Sequence, residues 1–558
     1  MSRLLSDFCH FDFGVPFPTL PNMKSLVPDS ISTSSIISCR PSPGLTSLPD
    51  DVLLLVISLV GVEDILALRM TSKRFSSVTK QRWVWSDVLK HQVINRRLPS
   101  LSAKELEARA IHASRFHRNW SSSHPHSRRS VEFRAREPTA EEVSSLQLAD
   151  AHPHPISQVL FPAGCNGELL ITVEQCRVAC WEIPFEGSEA FLVAERCLPD
   201  CVIDGLVVND DSDNEGMLIV MYSRIVGTLP LYEIKAEVWS LDKFHGSFTT
   251  LRSQVLARNV QRRMSPVARL CGNLALLGDP VVLWNWKRKG PFFTMSSGNI
   301  HQSPTPDSVL AVRLVRNHLL VVRQSHIQLL PTPQFDQFGR PVQGASTFGA
   351  FLHVQDPARE AVVIVHEMTE EEREAWQFNP VTILMRVTTD EGHTIRKYDL
   401  LPRPVTSAEP AAENEIVEEQ QNTTRHGRLR PTDSPCTLPA RPAQTIQVPP
   451  SCSNLVVGRN GKGFWMETQN LTCGHSTFPV RSFVGFDTTS RLVPAQDQQP
   501  ARWQNDLVVR ENGMYKARVG PGEVHERKYR ILTSSIEDTV GRIAIGCRDG
   551  RVQILDFA

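Results

Sequence analysis

The sequence predicts a multidomain chain, a small all-α helical module followed by a long all-β, propeller-like domain, and three observations carry that expectation. Apolar residues recur at helical spacing from Leu45 to about His91 and again from Ser102 to Trp120. From about Val131 the period becomes that of strands, in short Val, Ile and Leu runs separated by Gly, Asp, Asn and Pro. Several of those runs repeat one pattern, an apolar strand, a polar connection and a second strand with Trp or a bulky aliphatic near its end. A unit of that kind must bury its sheet against the next one.

Length and composition set the frame. The 558 residues exceed the ~100–200 of a typical domain, so at least two folded units are expected. The 60 basic and 60 acidic side chains cancel, which leaves no whole-chain attraction to nucleic acid or membrane. The longest apolar stretch, Val52 to Val62, is shorter than the ~20 residues of a membrane-spanning helix and reads as a buried helix. Residues Met1 to Phe17 lack the basic start and apolar centre of a secretory signal. The 12 cysteines, scattered from Cys9 to Cys547, suit reduced thiols better than a disulfide framework. A cytoplasmic or nuclear protein without membrane contact is expected.

In chain order, residues 1–44 are rich in Ser and Pro in their second half and read as a disordered arm. Residues 45–91 form the helical module. Pro49 suits a first helical turn, Asp50 and Asp51 suit the positive end of the helix dipole, and Gly61 closes that helix. Asp64 opens a second helix with Ile65, Leu66 and Leu68, and Thr71 or Ser72 caps a third that carries Phe75 and Val78. Residues 92–130 are a helical connector and basic linker, in which Leu106, Ala110, Ala113, Phe116 and Trp120 make one buried stripe.

Residues 131–558 hold the strands. The repeated pairs are Glu168 to Val173 with Val178 to Ile183, Met217 to Met221 with Ala236 to Ser240, and Leu274 to Gly278 with Val281 to Asn285. Leu319 to Val322 with His326 to Leu330, and Arg542 to Gly546 with Arg551 to Leu555, follow. The last pair surrounds an Asp549-Gly550 turn and is expected to close the propeller; the irregular spacing leaves the blade number open. Residues 402–450, rich in Pro, Ala, Glu, Gln and Thr, are expected to be a disordered insertion between two blades.

Three short helices bury little area by themselves, so an apolar excess on them points to a partner. The module shows Leu48-Pro49 with an acidic Asp51, apolar Val52 and Leu53, then Val56, Ile57 and Val60, then Asp64-Ile65-Leu66, then Ser72-Lys73-Arg74-Phe75, and Trp85 after Val84. That ordered set closely resembles the F-box, with Phe75 where Trp is common. With β repeats behind it, the chain is similar to a fungal type of F-box protein. The resemblance implies docking on the Skp-type linker of a Skp-cullin-F-box ubiquitin ligase, and through it a cullin. The partner-binding residues it implies are Leu48, Pro49, Asp51, Val52, Val56, Ile57 and Trp85, with Trp85 packing the third helix or the edge of the interface.

Other motifs carry less. Between Arg69 and Arg136 there are 16 Lys or Arg and 4 Asp or Glu, but few aromatics alternate with them as nucleic-acid stacking would require, so a solvated face and charged linker are expected. Asp210 to Gly216 is acidic yet lacks the terminal Glu of a calcium loop, and reads as a solvated turn. The spacings Cys176/Cys180 and Cys197/Cys201 have no nearby His to complete a zinc site. Gly458 to Gly463 has the wrong spacing for a phosphate loop and reads as a turn entering a strand.

No nucleophile, base and electrophile set appears, so no catalytic residue, metal or cofactor is expected. The expected function is a non-catalytic adaptor whose F-box binds the linker and whose propeller binds a target protein. The rival is a propeller scaffold outside any ligase, docked through the helical module.

Overall fold

Helices and strands follow the two periods of the sequence in the computed structural model, which describes residues 48–92, 101–135, 155–187, 189–226, 231–260, 268–288, 290, 292–295, 307–336, 350–405, 434–473, 476–494, 501–510, 515–518 and 531–558. The arm expected over 1–44 lies outside these residues. The chain divides into two compact units, 1–53 and 54–558. The Pro49 carbonyl accepts the Leu53 N–H at 3.0 Å and so starts α1 (Asp50–Ser58), whose residues are divided between the two units, with Asp50 and Asp51 in its first turn. Pro49 thus stands just ahead of the helix, where its missing N–H has no partner to lose.

The second unit continues with α2 (Val62–Thr71), α3 (Lys73–Val78), α4 (Arg82–Gln92) and α5 (Ala103–Trp120). Gly61 has extended backbone and caps the start of α2, so it opens that helix rather than closing α1, and Asp64 falls inside its first turn. Ser72 caps α3, its hydroxyl accepting the Phe75 N–H at 3.1 Å. Ser102 and Glu105 cap α5 reciprocally, and the stripe expected on it is buried from Leu106 to Trp120.

Among the described residues the strands form seven blades: 156–197, 201–260, 268–294, 309–353, 358–448, 453–518, and 531–556 completed by Arg129–Arg134. Each is antiparallel. The first two share an edge through a single parallel bridge, Glu195 with Ser247, between their outer strands. The five hairpins read from the sequence are the second and third strands of five blades: Leu170 lies opposite Trp181, Leu276 opposite Leu283 and Ile543 opposite Leu555. Val381–Thr389 with Gly392–Pro402, and Lys462–Cys473 with Ser476–Val493, supply the other two.

A buried apolar cluster lies between every neighbouring pair of blades, and this is where the stability of the ring resides. Ile219, Val238, Leu270 and Trp284 join the second blade to the third; Ile364, Leu384, Trp465 and Phe486 join the fifth to the sixth. Ile156, Leu170, Trp181, Ala544 and Ile554 join the seventh back to the first, so the ring is closed. Gly546 sits at that seam, where a Cβ would come within 2.6 Å of Ile156. The closing strand, Arg129–Arg134, pairs in register with Arg551–Asp556, so the last blade is made from both ends of the β region. The boundary drawn at residue 131 falls inside this strand.

The insertion expected over 402–450 is corrected in part. Residues 406–433 lie outside the described residues, but Gln444–Val448 pairs in register with His393–Lys397 as an outer strand of the fifth blade, and Cys436 is fully buried. A Pro-rich composition does not prevent a short edge strand, which needs only one row of hydrogen bonds. Replacing 434–450 by a Gly/Ser linker should therefore destabilise the protein by roughly 2–5 kcal/mol, as loss of buried side chains does. An unchanged melting temperature would count against this pairing.

Candidate partner-docking site

Helix α1 is apolar on nearly all its sides, so one stripe cannot bury every residue. Leu53 and Ile57, four apart, are fully buried, whereas Val52 is 39%, Leu55 68% and Leu59 82% exposed. The exposed three recur at steps of three and four and line the other side of the helix. Met70, near the end of α2, is also exposed. Pro49 and Asp51 are exposed, and Leu48 and Val56 are intermediate.

Two residues of the expected partner-binding set are interior, and for Trp85 packing within the helices is one of the two places expected. Ile57 is fully buried, and so is Trp85, whose Nε1 donates to the Thr79 carbonyl at 2.8 Å with the Arg69 guanidinium over its ring. Trp85 belongs to α4 and packs the module itself, because burying an indole with its N–H satisfied favours the interior. Leu55 and Leu59 were missed by sequence reading. The signal that could have found them is the excess of apolar positions on α1 over what one buried face accommodates.

The later helices are keyed to the propeller through α5. Arg69 of α2 pairs with Glu107 of α5 at 2.6 Å, and Glu63 of α2 with Arg118 of α5 at 2.5 Å. Arg109 of α5 pairs with Glu168, in the loop that opens the second strand of the first blade, at 2.7 Å. Phe116 and Trp120 enter the cluster between the sixth and seventh blades with Phe464, Phe483, Ile543 and Phe557. Asn119 donates from Nδ2 to the carbonyls of His126 and Phe557. Gly541 has φ +77°, and a Cβ there would come within 2.1 Å of Phe116, so only glycine lets α5 lie this close to the turn. Three cations of the basic stretch, Arg69, Arg109 and Arg118, are thus paired within the protein.

On the propeller, the acidic turn is a hub of ion pairs. Asp210, at the end of the second blade's inner strand, takes Arg269 of the third blade through two hydrogen bonds of 2.7 and 2.6 Å, and Arg313 of the fourth approaches at 3.3 Å. Arg459, from the sixth blade, donates to the Asp210 carbonyl at 3.1 Å. Asp211 and Asn214 accept backbone N–H groups two residues on, which makes a hydrogen-bonded turn. Among the described residues no group of three or more His, Cys, Asp or Glu could hold a metal ion.

The Gly458 to Gly463 segment is a turn between strands, and its amides hold a carboxylate of the chain itself. Asp538 accepts from the N–H groups of Arg459, Asn460 and Lys462 at 3.0, 2.7 and 3.2 Å. Burial first, then the neighbouring Glu537 carboxyl, pushes Asp538 up to about 7. No described helix is long and apolar enough to cross a membrane.

Comparison with known proteins gives one family match: residues 45–87 match the family model described as the F-box domain. Among solved structures, the chain is similar to the WD40 domain of SCAP from fission yeast, at 9% identity and a TM-score of 0.36, over 72% of this chain and 82% of that one. No curated protein matches the sequence.

Proposed function

We propose that this chain, with a match to the F-box domain at residues 45–87 ahead of a β-propeller-like domain, is the substrate-recognition adaptor of a Skp-cullin-F-box type ubiquitin ligase. The F-box binds a Skp-type linker and through it a cullin, and the propeller binds a target protein. The protein performs no chemistry itself; it raises the effective concentration of the target at a ubiquitin-charged partner. The observation that supports this reading most is the exposed apolar row Val52, Leu55 and Leu59 on a helix of F-box sequence. An exposed row of that kind is unfavourable in water unless a partner covers it. Rigid keying of α2 and α5 to the blades suits a receptor that must hold its target at a fixed distance. The adaptor works in the cytoplasm or nucleus, where such ligases are found.

Linker binding is tested by two surface variants and one internal control. Leu55→Ser with Leu59→Ser should leave the melting temperature nearly unchanged, since both side chains are mostly exposed, yet weaken capture by purified linker more than about tenfold, or 1.4 kcal/mol. Leu48→Ala with Pro49→Ala should likewise abolish capture while the blades stay folded. Trp85→Ala should lower stability first, by about 3–5 kcal/mol, because its indole is interior. Capture of Skp-type and cullin subunits from cells supports the ligase; a stable assembly without them, and unaltered linker binding by the surface variants, would support the scaffold instead.

A further inference from the structure

The turn Gln175-Cys176 joins the second and third strands of the first blade, Leu169–Glu174 and Arg177–Glu182, and Gln175 takes a left-handed conformation, φ +49°, to make it. Cys197 ends the blade's outer strand, Phe191–Cys197, and is paired in register with Arg177. The Cys176 carbonyl accepts the Leu198 N–H at 2.8 Å, so the two chain segments are already locked together at sheet spacing. The two thiols meet there, with Sγ to Sγ at 3.5 Å. Sequence spacing pairs these cysteines with Cys180 and Cys201; the fold pairs them with each other.

We propose that Cys176 and Cys197 are a redox modification site that forms a reversible disulfide when a peroxide is present. A disulfide needs its sulfurs at about 2.05 Å, a closure of roughly 1.5 Å from the present separation, within reach of side-chain rotation. Cys197 is exposed and Cys176 partly so, which gives a small oxidant access. Six of the other seven described thiols are poorer candidates: burial pushes Cys180, Cys271, Cys436, Cys452 and Cys547 up to about 12, and Cys165 up to about 11, where little thiolate exists to react. Burial and the hydrogen bond with Cys176 also raise Cys197, and the neighbouring Arg177 opposes that. Oxidation should therefore speed up as the pH rises.

The step balances with the peroxide as the only co-reactant. The sulfur of the exposed Cys197 attacks one peroxide oxygen, the O–O bond breaks, and a sulfenic acid and one water form. The Cys176 sulfur then attacks that sulfur, an S–S bond forms as the S–O bond breaks, and a second water leaves. The two thiols lose two electrons and two protons in all, and a dithiol reductant returns them.

The bond would tie the end of the outer strand to the turn. That turn is at the far end of Leu169–Glu174 from Glu168, the residue α5 holds, roughly 20 Å along a six-residue strand at about 3.3 Å per residue. The modification therefore changes the propeller face away from α5, next to the second blade's inner strand, whose Ile203 N–H donates to the Gln175 carbonyl at 3.5 Å. On the function proposed above, that face is where a target would meet the first blade.

The full chain is treated with hydrogen peroxide, the remaining thiols are blocked with an alkylating reagent, and peptides are mapped by mass spectrometry with and without dithiothreitol. The expected result is one peptide pair linking Cys176 to Cys197, about 2 Da lighter than the two thiol peptides, absent after reduction. Cys176→Ser and Cys197→Ser should each abolish it and leave the partner as a sulfenic or more oxidised acid, with the thermal melt unchanged. If a variant fails to fold, mapping of the unaltered protein decides alone. Independent alkylation of both cysteines after peroxide, or links from either to Cys201 or between molecules instead, would overturn the proposal. Loss of linker binding bears only on the ligase role and leaves this site untouched.

Discussion

Removal of Gly541–Ala558 is expected to abolish the fold of the entire β region. The deletion takes the strands Arg542–Cys547 and Arg551–Asp556, the middle of the last blade. Arg129–Arg134 then loses the strand with which it pairs, and Ile531–Glu537 loses its neighbour too. The cluster at the seam loses Ala544, Val552 and Ile554, and the cluster under α5 loses Ile543, Ile545, Leu555 and Phe557. An opened ring presents the inner strand Ile156–Leu160 and the sixth blade as uncovered faces, the arrangement that closure normally removes. Because each buried aliphatic side chain is worth about 2–5 kcal/mol, the loss exceeds the ~5–15 kcal/mol by which domains are stable. Size-exclusion chromatography and limited proteolysis check this: aggregation, with cleavage in every blade, is the expected outcome. A soluble, monomeric, protease-resistant product would mean that the blades do not depend on closure.

The second large effect is expected at one residue of that seam. Arg542 is 1% exposed and crosses from the last blade to the first. Its Nε pairs with the Asp556 carboxylate at 3.2 Å, Nη1 donates to the carbonyls of Gly167 and Ile183 at 2.8 and 2.7 Å, and Nη2 to that of Pro184 at 3.0 Å. The guanidinium also lies 4.2 Å from the ring centroid of Phe185. A planar fork with five donors can serve all four acceptors at once, which a lysine cannot. Arg542→Met keeps the volume but takes the donor from the Gly167 and Ile183 carbonyls and leaves the buried Asp556 carboxylate with only His112 and the Ala558 N–H, so a loss of about 3–5 kcal/mol is expected from denaturant unfolding. Arg542→Lys should recover only part of it. Arg542→Met with Asp556→Asn should be less damaging than Arg542→Met alone, since the second change removes a buried charge that has lost its guanidinium partner. Equal stability of Arg542→Met and the unaltered protein would show that the seam does not rest on this side chain.

Much of the architecture was legible in the order of the residues. The stripe from Leu106 to Trp120, the cap at Ser72 and the five hairpins ending at Arg551 to Leu555 are local patterns, each set by a period of 3.6 or 2 and by the residues that punctuate it. The fifth and sixth blades were harder to read. Their hairpins carry Thr388-Thr389-Asp390-Glu391 and Thr468-Gln469-Asn470 runs, where the apolar alternation fades.

What the sequence by itself determined, then, is which segments are helix or strand and that an F-box-like module precedes a repeated β unit. The tertiary structure alone decided which residues face one another over long separations. It paired Arg129–Arg134 with Arg551–Asp556, set the number of blades at seven among the described residues, and brought Cys176 to Cys197. It also sorted the apolar residues of the module, placing Ile57 and Trp85 inside and leaving Leu55 and Leu59 in water. The physical reason is one of range. Backbone preference and amphipathic period act over a few residues, whereas burial of a given side chain depends on what the closed ring brings over it from hundreds of residues away.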